Sequence, residues 1–212
     1  MAAASAINRA NEIIDSARLL DDTAQSAHAF RMLLGNLAGR PLFPNEEEHA
    51  LSLKMVRAGI LRAQIGCIMA ILDPWERRGN RASIGHVVKL LKEDEVKNVL
   101  LQPSTYLHQT PSAIKLADLS NKYEHLCKTD IYQRVKRLRN DSIAHVLRPD
   151  ERTPDVQNNE VSSLQNEAEG LIVLLFEGLG LKGPELTAQR AITLERATLF
   201  WDTYFTGIGN RP

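Results

Sequence analysis

Apolar residues recur at intervals of three and four along most of this chain, the spacing that places them on one face of an α-helix. Over residues 5–37 this spacing joins Ile13, Ala17, Leu20 and Ala24. No segment alternates apolar and polar residues as a half-buried strand would. The pattern therefore predicts an all-α protein, a bundle of helices packed through their apolar faces.

The clearest helix start lies at Asn45, which is followed by three glutamates. Asparagine is a favoured N-cap, and acidic residues in the first turn suit the positive end of the helix dipole. The apolar stripe continues to Asp73-Pro74, where proline ends the helix. Because its second half is apolar on nearly every face, we predict that helix 46–72 is the central buried helix.

Polar caps and turn residues divide the rest of the chain into further helices, and we expect a single domain over 1–212. The predicted caps are Ser83, Asp94, Ser112 and Thr129, and the later long helices are predicted over 131–147, 160–179 and 186–208. Trp201 and Phe205 share one face of the last helix, which favours packing over a platform for stacking bases.

Composition narrows the possible partners and locations. The 212 residues include 26 basic and 26 acidic side chains, so attraction to nucleic acid must come from a local patch. The N-terminus has no secretory signal pattern, and the apolar windows near 60–72 and 171–181 are too short or too interrupted to span a bilayer. We therefore expect a soluble cytoplasmic protein that does not contact a membrane.

No metal or cofactor site is predicted. His28, His49, His86 and His108 are scattered, with no cysteine or carboxylate at metal-ligand spacing, and the chain has no glycine-rich phosphate loop. Two isolated cysteines, at 67 and 127, lie among apolar helical positions, as buried reduced thiols do.

The most informative residues are Arg139, Asn140 and His145. Histidine can take the proton from a ribose 2′-hydroxyl, and arginine can stabilise charge that develops on the phosphorane, so the two suffice to cut RNA without a metal. A pattern this short also arises by chance, and the catalytic interpretation therefore depends on its context.

That context resembles the HEPN superfamily (higher eukaryotes and prokaryotes nucleotide-binding domains), and within it the abortive-infection U-type branch. The resemblance includes Arg139-Asn140 with His145 on a late helix, Asp73-Pro74 closing an earlier one, and the segment 81–84 opening the next. It covers about residues 47–180, with helices 5–37 and 186–208 as additions. It implies a homodimer with both Arg/His sets in one cleft, and a metal-independent endoribonuclease of a toxin–antitoxin or phage-defence system, with a possible antitoxin or defence-system partner.

Helix geometry agrees with a dimer. On one ideal helix Arg139 and His145 lie about 120° apart, and a two-fold axis can bring Arg139 of one subunit near His145 of the other. Asp141, four residues before His145, is either the group that orients the imidazole or a solvated carboxylate. Asn140 either braces the active-site backbone or contacts RNA, or it is a plain polar residue on the helix surface that does neither.

Cations around the motif provide a local positive patch for RNA. These candidate RNA-binding residues are Arg134, Lys136, Arg137 and Arg148, and each is also compatible with an ordinary solvated helix face. Two functions remain open from the sequence. The first is a HEPN ribonuclease, and the second is a non-catalytic HEPN module that binds RNA, a nucleotide or a protein.

Overall fold

The computed structural model of the chain describes residues 2–38, 47–74, 82–102, 108–140, 156–184 and 186–209. The described residues form helices and no strands, which confirms the all-α prediction. The helices are α1 (Ala2–Ala38), α2 (Glu47–Leu72), α3 (Ile84–Leu90), α4 (Asp94–Leu100), α5 (Ala113–Leu126), α6 (Asp130–Leu138), α7 (Asn158–Leu179) and α8 (Leu186–Gly209).

Three of the predicted caps are confirmed by hydrogen bonds from the first turn of a helix. The side-chain oxygen of Ser83 accepts from the backbone N–H of His86 at 3.1 Å. Ser112 and Thr129 cap α5 and α6 in the same way, each at 3.4 Å. At α4, Glu93 and not Asp94 occupies the N-cap position, so the helix begins one residue earlier than predicted.

α7 begins two residues before the predicted start at 160 because Gln157 and Glu160 form a capping box. It ends at Gly180, which adopts a φ of 69°. The carbonyl oxygen of Gly180 accepts the backbone N–H groups of His108 and Gln109 at 2.9 and 3.0 Å. A Cβ at Gly180 would lie 2.2 Å from the Gln109 carbonyl oxygen, so only glycine fits this turn.

The most central helix is α1, and not α2 as predicted. α1 packs against α2, α3, α4, α7 and α8, and its buried face includes Ile13 and Leu20 with the small residues Ala17, Ala24 and Ala27. Alanines let neighbouring helices approach closely, which explains why a helix of modest hydrophobicity lies at the centre. α1 therefore shares one hydrophobic core with the helices of 47–180.

α2 enters the main core through its second half, at Ile65, Ile68, Met69, Ile71 and Leu72. By length and composition, the stretch Leu51–Leu72, with a mean hydropathy of 1.6, is long and apolar enough to cross a membrane. The sequence pattern predicts an apolar window at 60–72 that is too short to span a bilayer. The window is longer than that, because it begins at Leu51. The second half of this helix packs in the core.

α8 docks through a second cluster, in which Trp201 is fully buried beside Leu37 and Leu53. The Trp201 indole N–H donates to the Leu33 carbonyl oxygen at 2.8 Å. The prediction that Trp201 serves packing is confirmed.

Both cysteines are free and half-buried. Burial raises the pKa of the Cys67 thiol above its usual value, which keeps the thiol protonated and unreactive near neutral pH.

Candidate functional site

Arg139 and Asn140 lie in a π-helical turn at the end of α6. Regular α6 stops at Leu138, and the remainder of the helix predicted over 131–147 lies outside the described residues. The same applies to three predicted site residues, Asp141, His145 and Arg148. The described part of the site is therefore Arg139 and its surroundings, with Asn140 exposed beside it.

The guanidinium of Arg139 binds the carboxylate of Asp73, which follows the last residue of α2. Its two terminal nitrogens donate to Oδ2 and Oδ1 at 3.1 and 2.6 Å. The two side chains are 24% and 19% exposed, and Arg139 Nε is buried without a hydrogen-bond partner among the described residues. The sequence pattern predicts that the Arg139 guanidinium is free to bind a phosphate. In the structure this guanidinium already binds the Asp73 carboxylate.

The end of α2 is held from three sides. The hydroxyl of Tyr123 in α5 donates to the Leu72 carbonyl oxygen at 3.1 Å, and that of Tyr132 in α6 does so more weakly at 3.5 Å. Burial raises the pKa of both tyrosines, so the hydroxyls stay protonated and remain donors. From α3, Gly85 approaches so closely that a Cβ would lie 2.5 Å from the Asp73 carbonyl oxygen.

Arg134, one of the predicted RNA contacts, is paired with carboxylates. It binds Asp130 in its own helix at 2.7 Å and Glu160 in α7 through both terminal nitrogens. These contacts raise the pKa of Arg134 and lower that of Glu160. Arg134 therefore joins α6 to α7 in this structure. Its charge is already paired with carboxylates and is not available to a phosphate without breaking these contacts.

Of the other described cations of the predicted patch, Lys136 is half-buried and Arg137 is exposed. Lys136 lies over the ring of Tyr132, with its ammonium nitrogen 5.9 Å from the ring centroid. Arg137 is exposed, and among the described residues it has no ion-pair partner. Lys136 and Arg137 thus keep positive charge at the end of α6, one turn or less before Arg139.

A buried polar network, which the sequence did not reveal, crosses the core around Glu169. Its carboxylate accepts from Gln165 at 2.7 Å and from Arg190 at 3.1 Å, and the His28 ring lies 3.9 Å away. Gln64 in α2 donates to Gln165 at 2.8 Å. Burial alone would raise the pKa of Glu169, but the interactions with His28, Gln165 and Arg31 outweigh burial and hold that pKa below its usual value.

A second histidine, His86, is also paired with an acidic residue that lies far from it in the sequence. His86 Nε2 lies 2.8 Å from Glu12 Oε1, although 74 positions separate the two residues. Within the described ranges, no three His, Cys, Asp or Glu side chains come together as a metal centre would require.

Comparisons of the chain with protein-family models, with curated proteins and with solved structures give no match. The resemblance to HEPN proteins thus depends on the Arg139 motif and the order of the helices in this sequence, and membership of that family stays a prediction.

Proposed function

We propose that this protein is a metal-independent endoribonuclease of the HEPN type, acting in the cytoplasm as a toxin or phage-defence effector. The supporting observation is the placement of Arg139, a half-buried guanidinium fixed at the meeting point of α2, α3, α5 and α6. A pre-oriented cation near accessible positive charge is what stabilisation of a developing phosphorane needs.

Asp73 leaves Arg139 able to contact a phosphate. A guanidinium has five N–H donors, and the pair with Asp73 uses one hydrogen on each terminal nitrogen. The second hydrogen on each terminal nitrogen is left for an oxygen approaching from the side. In this proposal Asp73 sets the plane of the guanidinium, and RNA binds its outer edge.

The reaction follows from the predicted roles. His145 removes the proton of a ribose 2′-hydroxyl, the 2′-oxygen attacks the neighbouring phosphorus, and the 5′-oxygen leaves with a proton. The products are a 2′,3′-cyclic phosphate and a 5′-hydroxyl end. Lys136 and Arg137 attract the backbone, and a homodimer supplies the second Arg/His set of the cleft.

One observation favours the alternative, a non-catalytic HEPN module that binds RNA, a nucleotide or a protein. The Asp73 carboxylate neutralises Arg139, and Arg134 is paired as well, so both cations contribute to the fold without any substrate. A half-buried ion pair of this kind also occurs as a structural contact between helices.

The test is incubation of the purified protein with total RNA, with and without EDTA, followed by analysis of the product ends. The matched control for His145→Ala is His125→Ala, because His125 is an exposed histidine on α5 that is not part of the motif. We expect cleavage that resists EDTA and persists in His125→Ala but not in His145→Ala. Cleavage that needs Mg²⁺, or that survives in His145→Ala, would exclude the proposed reaction; RNA binding without cleavage would support the alternative.

A further inference from the structure

The first half of α2 exposes an apolar stripe. Leu51 and Met55 are 60% and 68% exposed, and Ala58 and Gly59 continue the same side of the helix one turn later. A Cβ built at Gly59 meets no atom within 4 Å, so the surface there is open. The large side chains of Leu51 and Met55 thus lie next to the small residues Ala58 and Gly59. Such a surface favours close packing of another helix, because side chains of that helix fit over the small residues.

Positive charge predominates beside this stripe, and the nearest acidic residues in the sequence are Glu47 and Glu48, one turn before Leu51. Lys54, Arg57 and Arg62 are exposed, and none forms an ion pair with a described residue. From residue 49 to residue 72 the sequence contains no Asp or Glu. We call Leu51, Lys54, Met55, Ala58, Gly59 and Arg62 the cationic face of α2; Arg57 lies beyond its edge.

α8 exposes an apolar stripe with acidic residues beside it, on the side of the helix opposite Trp201. Ile192 and Leu199, seven residues apart, are 49% and 65% exposed. Glu195 and Asp202 are exposed along one edge of this stripe, whereas Arg196 lies on the other edge. We call Ile192, Glu195, Leu199 and Asp202 the acidic face of α8.

We propose that the cationic face of α2 is covered by the acidic face of α8 from a second copy of the chain. Pairing two α2 faces would bring like charges together, whereas α2 against α8 places lysine and arginine beside carboxylates. Along the helix axis Ile192 and Leu199 are about 10.5 Å apart, which leaves a space for Met55 between them. Single-stranded RNA would satisfy the cations but would leave Leu51 and Met55 unburied.

The contact uses described residues on two faces and depends neither on His145 nor on the ribonuclease proposal. Its size is modest and its charges are exposed, so association should weaken as salt is raised. The expected behaviour of the wild-type chain is concentration-dependent self-association in light scattering and sedimentation, reduced at high salt.

Charge exchange provides the decisive experiment. Lys54→Glu with Arg62→Glu reverses the α2 face, and Glu195→Lys, alone and with Asp202→Lys, reverses the α8 face. Each should raise the dissociation constant by about tenfold or more, because like charges then meet. Mixing an α2-reversed chain with an α8-reversed chain should restore association, because both junctions of the mixed complex then pair opposite charges. Circular dichroism checks that each variant is folded.

Apolar substitutions give a matched pair. Met55→Asp should weaken association, whereas Ile114→Asp should not, since Ile114 is 81% exposed on α5 outside both faces. A monomeric wild type at high concentration would overturn the proposal, as would failure of the mixed variants to associate. A monomer that binds anionic phospholipid vesicles or RNA, and loses this binding in Lys54→Glu/Arg62→Glu, would assign the α2 face to that ligand instead.

Discussion

Arg139 and Asp73 face each other across the end of α2, joined by two N–H···O contacts of 2.6 and 3.1 Å. The two residues are 66 positions apart in sequence. Their pair joins the end of α6, where the motif begins, to the end of α2. This relationship makes the same arginine a candidate for chemistry and a contributor to stability, and substitutions can separate the two roles.

For stability, we expect Asp73→Asn and Arg139→Gln each to lower the unfolding free energy by about 1–3 kcal/mol, since each leaves a half-buried charge without its partner. The double variant should lose clearly less than the sum of the two single losses, because it leaves no unpaired charge. Urea unfolding of the four proteins measures this coupling. Additive losses would mean that the two residues do not stabilise the fold through each other.

For activity, Arg139→Lys is the more specific change. A lysine ammonium can still pair with Asp73, but it cannot present a planar fork to a phosphate. If the protein is a ribonuclease of the proposed kind, the rate of RNA cleavage should fall by about 10²-fold or more while the melting temperature changes little. DNA of the same sequence should remain uncut, because it lacks the 2′-hydroxyl. Full activity in Arg139→Lys would remove Arg139 from the mechanism.

Gly85 and Gly66 form a contrasting pair. Gly85→Ala would place a Cβ 2.5 Å from both the Asp73 carbonyl oxygen and the Tyr123 hydroxyl, and it should destabilise the fold by about 1–3 kcal/mol. Gly66, in α2, has no atom within 4 Å of a built Cβ, so Gly66→Ala should stabilise the protein by about 0.5–1 kcal/mol through helix propensity. Thermal unfolding distinguishes the two signs, and equal effects would contradict the close approach of α3 to Asp73.

Trp201 and its neighbour Phe200 test the docking of α8. Trp201→Ala removes a fully buried ring and its hydrogen bond to Leu33, and it should cost about 3–5 kcal/mol. Phe200→Ala removes a half-exposed ring and should cost much less. Near-equal losses in denaturant unfolding would mean that α8 does not depend on the Trp201 cluster.

The Glu169 network predicts a specific dependence on pH. Because the folded-state pKa of Glu169 lies below the usual 4.5, the charged group stabilises the fold at higher pH. That stabilisation is lost as pH falls below about 4.5 and through the lower folded pKa. Glu169→Gln should therefore reduce stability at neutral pH and flatten the loss on acidification. Glu167→Gln, at an exposed position of the same helix, should retain the wild-type pH dependence.

Local signals in the sequence predicted the helices well because caps and breakers act over a few residues. Ser83, Ser112 and Thr129 are N-caps for a local reason, a side-chain oxygen within reach of the first free N–H groups. The central position of α1 could not be predicted in this way, because it depends on which helices pack against its alanines rather than on its own hydrophobicity.

The partners of charged residues were the least predictable feature. Asp73 was recognisable as a helix-ending residue, but its bond to Arg139 depends on how α2 and α6 meet in space. For Arg134, spacing in the sequence indicates only the pair with Asp130 in its own helix, whereas the pair with Glu160 depends on how α6 and α7 meet. Only tertiary structure determines which cations of a basic segment remain accessible.

The turn at Gly180 has a consequence for the order in which the chain assembles. Its carbonyl oxygen receives the backbone of His108 and Gln109, and the Gly178 carbonyl oxygen receives the N–H of Ser112, the cap of α5. The entry to α5 is therefore completed by residues that follow it by about 70 positions. During synthesis, the segment before α5 must wait without these bonds until the end of α7 has left the ribosome, so α5 and α7 become fixed together, late and as one unit.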